Sequence, residues 1–487
     1  MKRILLVVLV VVLGLASVVV VRTLRFHSRQ PVVNPVALEA LDSLALARRL
    51  AGALKFKTIS YQDSSQFDAR EFDRFQRDLR DAFPKLHATL KLERVNGHGL
   101  LYEWTGSDPT LAPVVLLAHQ DVVPIEPGTE DRWTQPPFGG QIAGGYVWGR
   151  GALDDKGSLL GILEAVEHLV AAGAKPRRSV YLAFGYDEEV GGNRGAARIA
   201  ALLAGRGVRP EFVLDEGGAL TTGLIPGLAT PVALVGIAEK GYLTVELTAQ
   251  AEGGHSAMPA AETAVGILAA ALSRLEQRQM PRAIRGPTAV MFDYVGPELG
   301  FGSRLVMANR WLFGGLLAGQ FGSTPQGNAM LRTTTAPTVL QAGVKENVLP
   351  STARALVNFR ILPGDSTGGV LEHVQRVVHD ARVSARVLEG TMNEPSAVTP
   401  VDAEPFQLLA RTIRQVVPGT VVTPWLLVAG TDSRHYEGLT PNVLRFAGAM
   451  IGKDDLPRIH GTNERIGVQD YVTVVRLYVQ LLRNAAM

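Results

Sequence analysis

Three consecutive acids, Asp187-Glu188-Glu189, follow the apolar run Val180-Tyr-Leu-Ala-Phe-Gly-Tyr186 and precede the pair Gly191-Gly192. Neighbouring carboxylates repel, and burying either one is costly unless a cation compensates it. A strand that delivers such a cluster at its C-terminal end points to a metal; the same doublet on a solvated surface would carry no role. A second string, His119-Gln-Asp121, follows the run Val114–Ala118. On an extended chain, residues two apart face the same side. His119 can therefore ligate a metal while Asp121 orients its ring through the other nitrogen, the alternative being an ordinary hydrogen-bonded histidine at a strand end. In Trp148-Gly-Arg-Gly-Ala-Leu-Asp-Asp-Lys-Gly157, glycines flank a tight turn from which Asp154 can face a cleft as a bridging carboxylate. Asp155-Lys156 could be only a surface ion pair, which is worth little. Asp215, in Leu214-Asp-Glu-Gly-Gly218, ends another apolar run, and Ile459-His-Gly-Thr-Asn463 supplies His460 from a loop. The chain has no cysteine. Any metal is then held by His, Asp and Glu, a donor set suited to zinc, manganese or cobalt at a hydrolytic centre.

These residues need elements to position them. Helical periodicity runs through Leu38–Leu54, Glu71–Phe83 and Ser158–Ala171, and short apolar runs bounded by turn residues lie at Pro113–Ala118, Ser179–Phe184 and Glu211–Leu214. Strands alternating with helices predict an α/β fold whose sheet is covered on both faces, with the chemistry beyond the carboxyl ends of the strands. The texture changes near Gly236. Tyr242–Thr248 and Arg354–Leu362 alternate like half-exposed strands around a helix at Glu262–Arg278, the pattern of an inserted α+β domain. The α/β pattern resumes near Pro400, with strands at Val422–Val428 and Asn442–Phe446 and a last helix at Val468–Arg483. The expected boundaries are 1–25 for an N-terminal segment, 26–37 for a linker, 38–235 and 396–487 for the α/β part, and 236–395 for the insertion.

Ile4–Val21 is an uncharged run, about 27 Å long as a helix and close to the thickness of a bilayer core. Basic residues flank both ends, so the positive-inside signal is ambiguous. The length of the run and the lack of a convincing cleavage site after it favour an uncleaved anchor over a signal peptide. The expectation is a membrane-anchored body outside the cytoplasm, or a secreted one if the segment is cleaved. Lys2, Arg3, Arg22, Arg25 and Arg29 precede the first acid, Glu39, and without these five the 49 Lys and Arg fall below the 46 Asp and Glu. No Lys/Arg-rich run with interleaved aromatics occurs in the body, which argues against a nucleic-acid partner. Phe301–Gln320 is strongly apolar, and its composition fits ordinary core first, then an acyl-chain groove, a membrane-facing surface or a subunit contact.

Taken in order, H-Q-D, GRGALDDKG, D-E-E before Gly-Gly, D-E-G-G, the string Gly253-Gly-His-Ser-Ala-Met-Pro259 and the late histidine resemble the aminoacylase/carboxypeptidase S family of co-catalytic zinc peptidases. The resemblance spans about Leu38 to Met487 and looks closest to the carboxypeptidase S-like branch, which includes N-fatty-acyl-amino-acid synthase/hydrolases. It implies a catalytic domain with a doubly covered mixed sheet and an inserted lid or dimerisation domain. It also implies two zinc ions, with cobalt or manganese as native alternatives, bridged by Asp154. His119 and Asp215 would complete one site, and Glu189 and His460 the other. Glu188 would be the general base and Asp121 the orienting acid, and the Asp154–Asp155 peptide is often cis in this family. His255 would stabilise the oxyanion, commonly across a dimer interface; read locally, it could merely precede a helix cap made by Ser256. Asn347, Arg360 and the Gly430-Thr431 loop match positions used on a substrate carboxylate, although Arg360 could equally be one solvent-facing charge on an alternating strand. The implied activity is hydrolysis of N-acyl amino acids or short peptides with a free C-terminal carboxylate. A conventional carboxypeptidase or dipeptidase without acyl-chain preference is the alternative, and a metal-free binding protein on the same scaffold is the alternative from another class.

Overall fold

The computed structural model describes residues 1–487. Its centre is a ten-stranded mixed sheet. Three parallel strands, Val180–Gly185, Val114–His119 and Phe212–Asp215, lie side by side in its middle, and Val443–Arg445 extends the parallel set. Lys91–Val95 and Gly99–Trp104 close one edge antiparallel. At the other end Val232–Glu239 takes Val421–Leu427 as a parallel neighbour.

The apolar runs are continuous because both faces are covered. Along Val114–His119 every residue is buried. Val114, Leu116 and Ala118 enter one core with the helices Ser43–Ala53, Lys156–Ala171 and Val468–Ala486, while Val115 and Leu117 enter a second core with the helix Ala196–Gly205. This is the period-2 geometry of a strand sandwiched between helices. The strand Val232–Glu239 was not legible as such. The change of texture near Gly236 falls inside it, and the chain leaves the large sheet only at Lys240.

The insertion builds a four-stranded antiparallel sheet in the order Thr334–Ala342, Thr352–Ile361, Gly241–Gln250, Val383–Asn393. Helices Ala264–Gln277 and Thr367–Val378 cover one face through a core of their own. In Thr352–Ile361 the residues Ala353, Ala355, Val357, Phe359 and Ile361 point into that core, which leaves Arg354, Asn358 and Arg360 on the opposite face. The helices between residues 286 and 331 do not join this core. Met291, Phe292, Val295, Leu317 and Met330 pack with Ala238, Leu362 and Leu426 at the junction of the two sheets. Ordinary core is thus not the role of Phe301–Gln320: of the helices Phe301–Ala308 and Arg310–Phe321 only Leu317 is a buried residue.

Asp155 and Lys156 are also not a surface pair, since both are fully buried and each has a different partner. Asp155 Oδ2 accepts from the His119 N–H at 3.2 Å. Lys156 Nζ donates to the carbonyls of Ala53 and Phe56 and lies 4.9 Å from the centre of the Phe75 ring. Burial pushes its ammonium down to about 7.

Candidate active site

The parallel strands end together, so the residues just beyond them share one cleft. His119 is the last residue of its strand, Glu188 and Glu189 lie in the short turn Glu188–Val190 after Val180–Gly185, and Glu216 follows Phe212–Asp215. Asp154 stands in the glycine-flanked turn before the helix Lys156–Ala171, and the peptide bond from Asp154 to Asp155 is cis. His460 comes from the loop ahead of Arg465–Gly467.

Asp154 faces two donor groups at once. Its Oδ1 is 3.0 Å from His119 Nε2, and its Oδ2 is 3.0 Å from His460 Nε2. Glu216 Oε1 completes the first group at 3.5 Å from His119 Nε2, and Glu189 Oε2 the second at 3.3 Å from His460 Nε2. In each group, donor atoms that could hold one metal ion converge within 4.8 Å of one another. The residues present fit two divalent cations. Carboxylate oxygens and imidazole nitrogens point at one another, Glu189 Oε1 is buried without a hydrogen-bond partner, and burial pushes the Glu216 carboxyl up to about 8. Such a pocket lacks positive charge that bound cations would supply.

Asp215, expected from the sequence to share the first ion with His119, has no atom among those that converge in either group. Its Oδ1 accepts from the Glu216 N–H at 2.9 Å, and burial pushes its carboxyl up to about 6. Its Oδ2 is buried without a hydrogen-bond partner, as Glu189 Oε1 is, so both acids of the string D-E-G-G stay candidates for the first ion. Separate substitution decides it: Glu216→Gln should lower the bound metal by close to one equivalent, while Asp215→Asn should leave the count unchanged. Metal analysis of the two purified variants checks this, and the reverse result restores Asp215 as the ligand.

Asp121 serves the site twice. Its Oδ1 lies 3.3 Å from His119 Nδ1, whose other neighbour is the Asp121 carbonyl at 3.0 Å. Both are acceptors, so the ring proton belongs on Nδ1 and the Nε2 lone pair faces Asp154 and Glu216. The Asp121 carboxylate also accepts from Ser60 Oγ at 2.6 Å and from the backbone N–H groups of Glu188 and Glu189 at 3.2 and 3.1 Å. One side chain thereby fixes a proposed ligand and the turn that carries Glu188 and Glu189. Burial, reinforced by the negative charge of Asp432, Glu216 and Glu189, holds the Glu188 carboxyl well above its ordinary range, while His119 pulls the other way.

Several supporting residues carried no signal in the sequence. Arg150 and Glu464 form a buried ion pair at 2.5 Å. Arg150 also donates to the carbonyls of His460 and Gly461, and Glu464 accepts from the backbone of Leu153 and Asp154. The pair ties the His460 loop to the Asp154 turn. Arg434 donates to the Gly191 carbonyl at 2.5 Å, beside the turn that carries Glu189. No local periodicity announces contacts between such distant segments.

The expected substrate residues are spread over both sheets. Arg360 stacks over Tyr242 at 4.7 Å, and burial together with the nearby Arg434 lowers its pKa. The half-buried guanidinium is thus packed on a ring rather than left free in solvent. Thr431 is buried, and its hydroxyl is committed to Glu239 at 2.5 Å, inside a network with Ser433 and Arg445. Its side chain therefore braces the loop, and Gly430, beside Arg434, is the more open position. His255 and Asn347 meet in the small ribbon of Gly254–His255 with Val348–Leu349, where the Asn347 carbonyl accepts from the Ser256 N–H. His255 Nδ1 accepts from the Ala257 N–H at 3.0 Å, and no hydrogen bond or ion pair joins it to the His119–Asp154–His460 cluster. Ser256 does not cap a helix; Thr263 caps Ala264–Gln277.

Residues 115–484 match peptidase family M20/M25/M40. The chain is 42% identical to a probable carboxypeptidase S-like 2 of Dictyostelium discoideum, over 97% of this chain and 92% of that protein. It is also 42% identical to the N-fatty-acyl-amino acid synthase/hydrolase PM20D1 of Xenopus tropicalis, over 90% of this chain and 86% of that protein. Its fold is similar to that of the M20 family metallo-carboxypeptidase Sso-CP2 from Sulfolobus solfataricus, with a TM-score of 0.65, 20% identity, and coverage of 91% of this chain and 99% of that one. A cleft built from histidines and carboxylates at parallel strand ends, on this fold and with these relatives, makes the chain a metal-dependent hydrolase that belongs to peptidase family M20/M25/M40.

Proposed function

We propose that this protein is a membrane-anchored di-zinc hydrolase of amide bonds in N-acyl amino acids or short peptides that carry a free C-terminal carboxylate. The observation that carries it is Asp154, which offers one oxygen to each of two donor groups next to Glu188. His119, Asp154 and Glu216 would hold one ion and Asp154, Glu189 and His460 the other. When bound, such a pair supplies Lewis acidity and lowers the pKa of water toward neutrality. Glu188 takes the proton from the attacking water and hands it to the leaving nitrogen, while Asp121 keeps His119 in the tautomer that presents Nε2. Arg360 is the natural partner for the substrate carboxylate, because a guanidinium matches its geometry. The helix Lys2–Leu24 is long and apolar enough to cross a membrane and is exposed along nearly its whole length, which supports the anchor.

The test is a panel of dipeptides and N-acyl amino acids of increasing chain length, assayed with and without chelator. Chelator should abolish turnover and zinc should restore it; hydrolysis that survives complete metal removal would overturn the reading. Rates that ignore acyl length would favour the conventional dipeptidase, a reading that the exposure of Phe301, Trp311 and Leu316 already supports because no groove encloses them.

His255 would act in a neighbouring subunit's cleft as an oxyanion donor. Mixing inactive His255→Ala with inactive Glu188→Gln should then restore part of the activity, since one hybrid site contains both groups. Demonstrated heterodimers without activity would confine His255 to its own chain or to no catalytic role.

A further inference from the structure

The N-terminal helix Lys2–Leu24 does not leave the body at random. Its last two turns are seated against the helix Phe301–Ala308, which Asn309 joins to Arg310–Phe321. The fully buried Asn309, between them, donates to the Val19 carbonyl at 3.1 Å, to Thr23 Oγ1 at 3.2 Å and to the Leu305 carbonyl at 2.9 Å. Arg304 donates to the Phe26 carbonyl at 2.6 Å, and the Phe26 ring lies against Gly296 so closely that a Cβ there would come within 2.5 Å of it. Val19 and Thr23 are the only buried residues of the N-terminal helix. Its exit from the body is therefore a built joint.

On the same hairpin Phe301, Trp311, Leu312 and Leu316 are 60%, 53%, 44% and 65% exposed. The segment 301–321 contains no acid, and its charges are Arg304 and Arg310, with Arg22 and Arg25 at the joint. Of these cations Arg310 is paired with Asp293 at 2.6 Å, while Arg22, Arg25 and Arg304 form no ion pair; aromatic and aliphatic side chains bordered by such cations suit the headgroup–acyl boundary of a bilayer. A patch of this kind is costly to leave in water.

We propose that the hairpin Phe301–Phe321 docks on the phospholipid surface from which the N-terminal helix enters the body, seating Phe301, Trp311, Leu312 and Leu316 at the interface. This inference rests on the anchor reading above. If the N-terminal helix lies in lipid, a joint at its last two turns brings the hairpin to the membrane surface. Leu317 of the hairpin shares a core with Ala238 and Leu362, which border the junction of the two sheets, so docking also sets the orientation of the cleft to the bilayer.

The absence of native cysteine makes the test clean. Full-length single-cysteine variants Leu9→Cys, Leu316→Cys and Lys91→Cys are spin-labelled and reconstituted in vesicles of phosphatidylcholine and phosphatidylglycerol. Lys91 begins the edge strand at the end of the large sheet away from Val232–Glu239 and Val421–Leu427, and serves as the aqueous reference. Collision rates with oxygen and with a water-soluble nickel chelate report depth. The oxygen-to-nickel ratio at Leu316 should stand severalfold above that at Lys91, with Leu9 higher still. A Leu316 ratio equal to that of Lys91, with Leu9 in lipid, overturns the docking and leaves the anchor standing. Leu9 in water overturns the anchor reading and this inference with it. A Leu316 label shielded from both reagents shows a second copy covering the hairpin, which also overturns the proposal.

Discussion

Glu188→Gln is expected to keep two metal equivalents bound and to lose about 10²–10⁴-fold in kcat, the usual effect of removing a positioned general base. The two halves of this result have separate causes. Neither donor group uses the Glu188 side chain, and its backbone N–H, which the Asp121 carboxylate holds, survives the substitution. The amide is nearly isosteric but cannot accept the proton of the attacking water or return it to the leaving nitrogen. Metal analysis and steady-state kinetics on one preparation are sufficient. Near-wild-type turnover in the fully metallated variant removes Glu188 from the mechanism. A loss of metal together with activity would instead make it part of the ligand cage.

The largest stability effect is expected at Glu464. Glu464→Ala should destabilise the protein by about 3–5 kcal/mol, because it leaves the buried Arg150 guanidinium without its carboxylate partner. It also frees the N–H groups of Leu153 and Asp154, so the turn carrying Asp154 loosens from the His460 loop. Denaturant unfolding of the metal-free protein measures the first effect without contributions from bound ions. Replacing Arg150 and Glu464 together by apolar residues should recover much of the loss, since a charge left alone in the interior is the main penalty. A loss of under about 1 kcal/mol in Glu464→Ala would place the pair in the range of a solvated surface bridge.

The strings around His119, Asp154, Glu188-Glu189 and His460 were readable because chemistry demands special local settings. Each is a polar residue at the end of an apolar run, in a glycine-bounded turn or in a loop, and such settings leave a mark on the chain. The doubly covered sheet was readable for a related reason: a strand packed on both faces must be apolar throughout, as Val114–Ala118 is. Asp215 and Glu216 show where this stops. Both are acidic and both end a strand, and the string D-E-G-G does not say which of them holds the ion. The apolar segment 301–321 stops there too. Its composition fits core, groove, membrane or interface alike, and only the structure shows that Leu317 and Asn309 are buried while Phe301, Trp311, Leu312 and Leu316 are exposed.

By itself, then, the amino-acid sequence determined a cysteine-free hydrolytic centre of His, Asp and Glu on an α/β frame, an inserted α+β segment and an apolar N-terminus. Local periodicity and the cost of burying charge act over a few residues and are written there directly. The tertiary structure alone brought Glu216 beside His119 and Asp154 and showed that Arg150 and Glu464 bind two distant loops. It also decided that the N-terminal helix is jointed to an exposed apolar hairpin. Each of these depends on contacts between segments far apart in the chain, and their energies come from desolvation and packing that exist only once the parts have met.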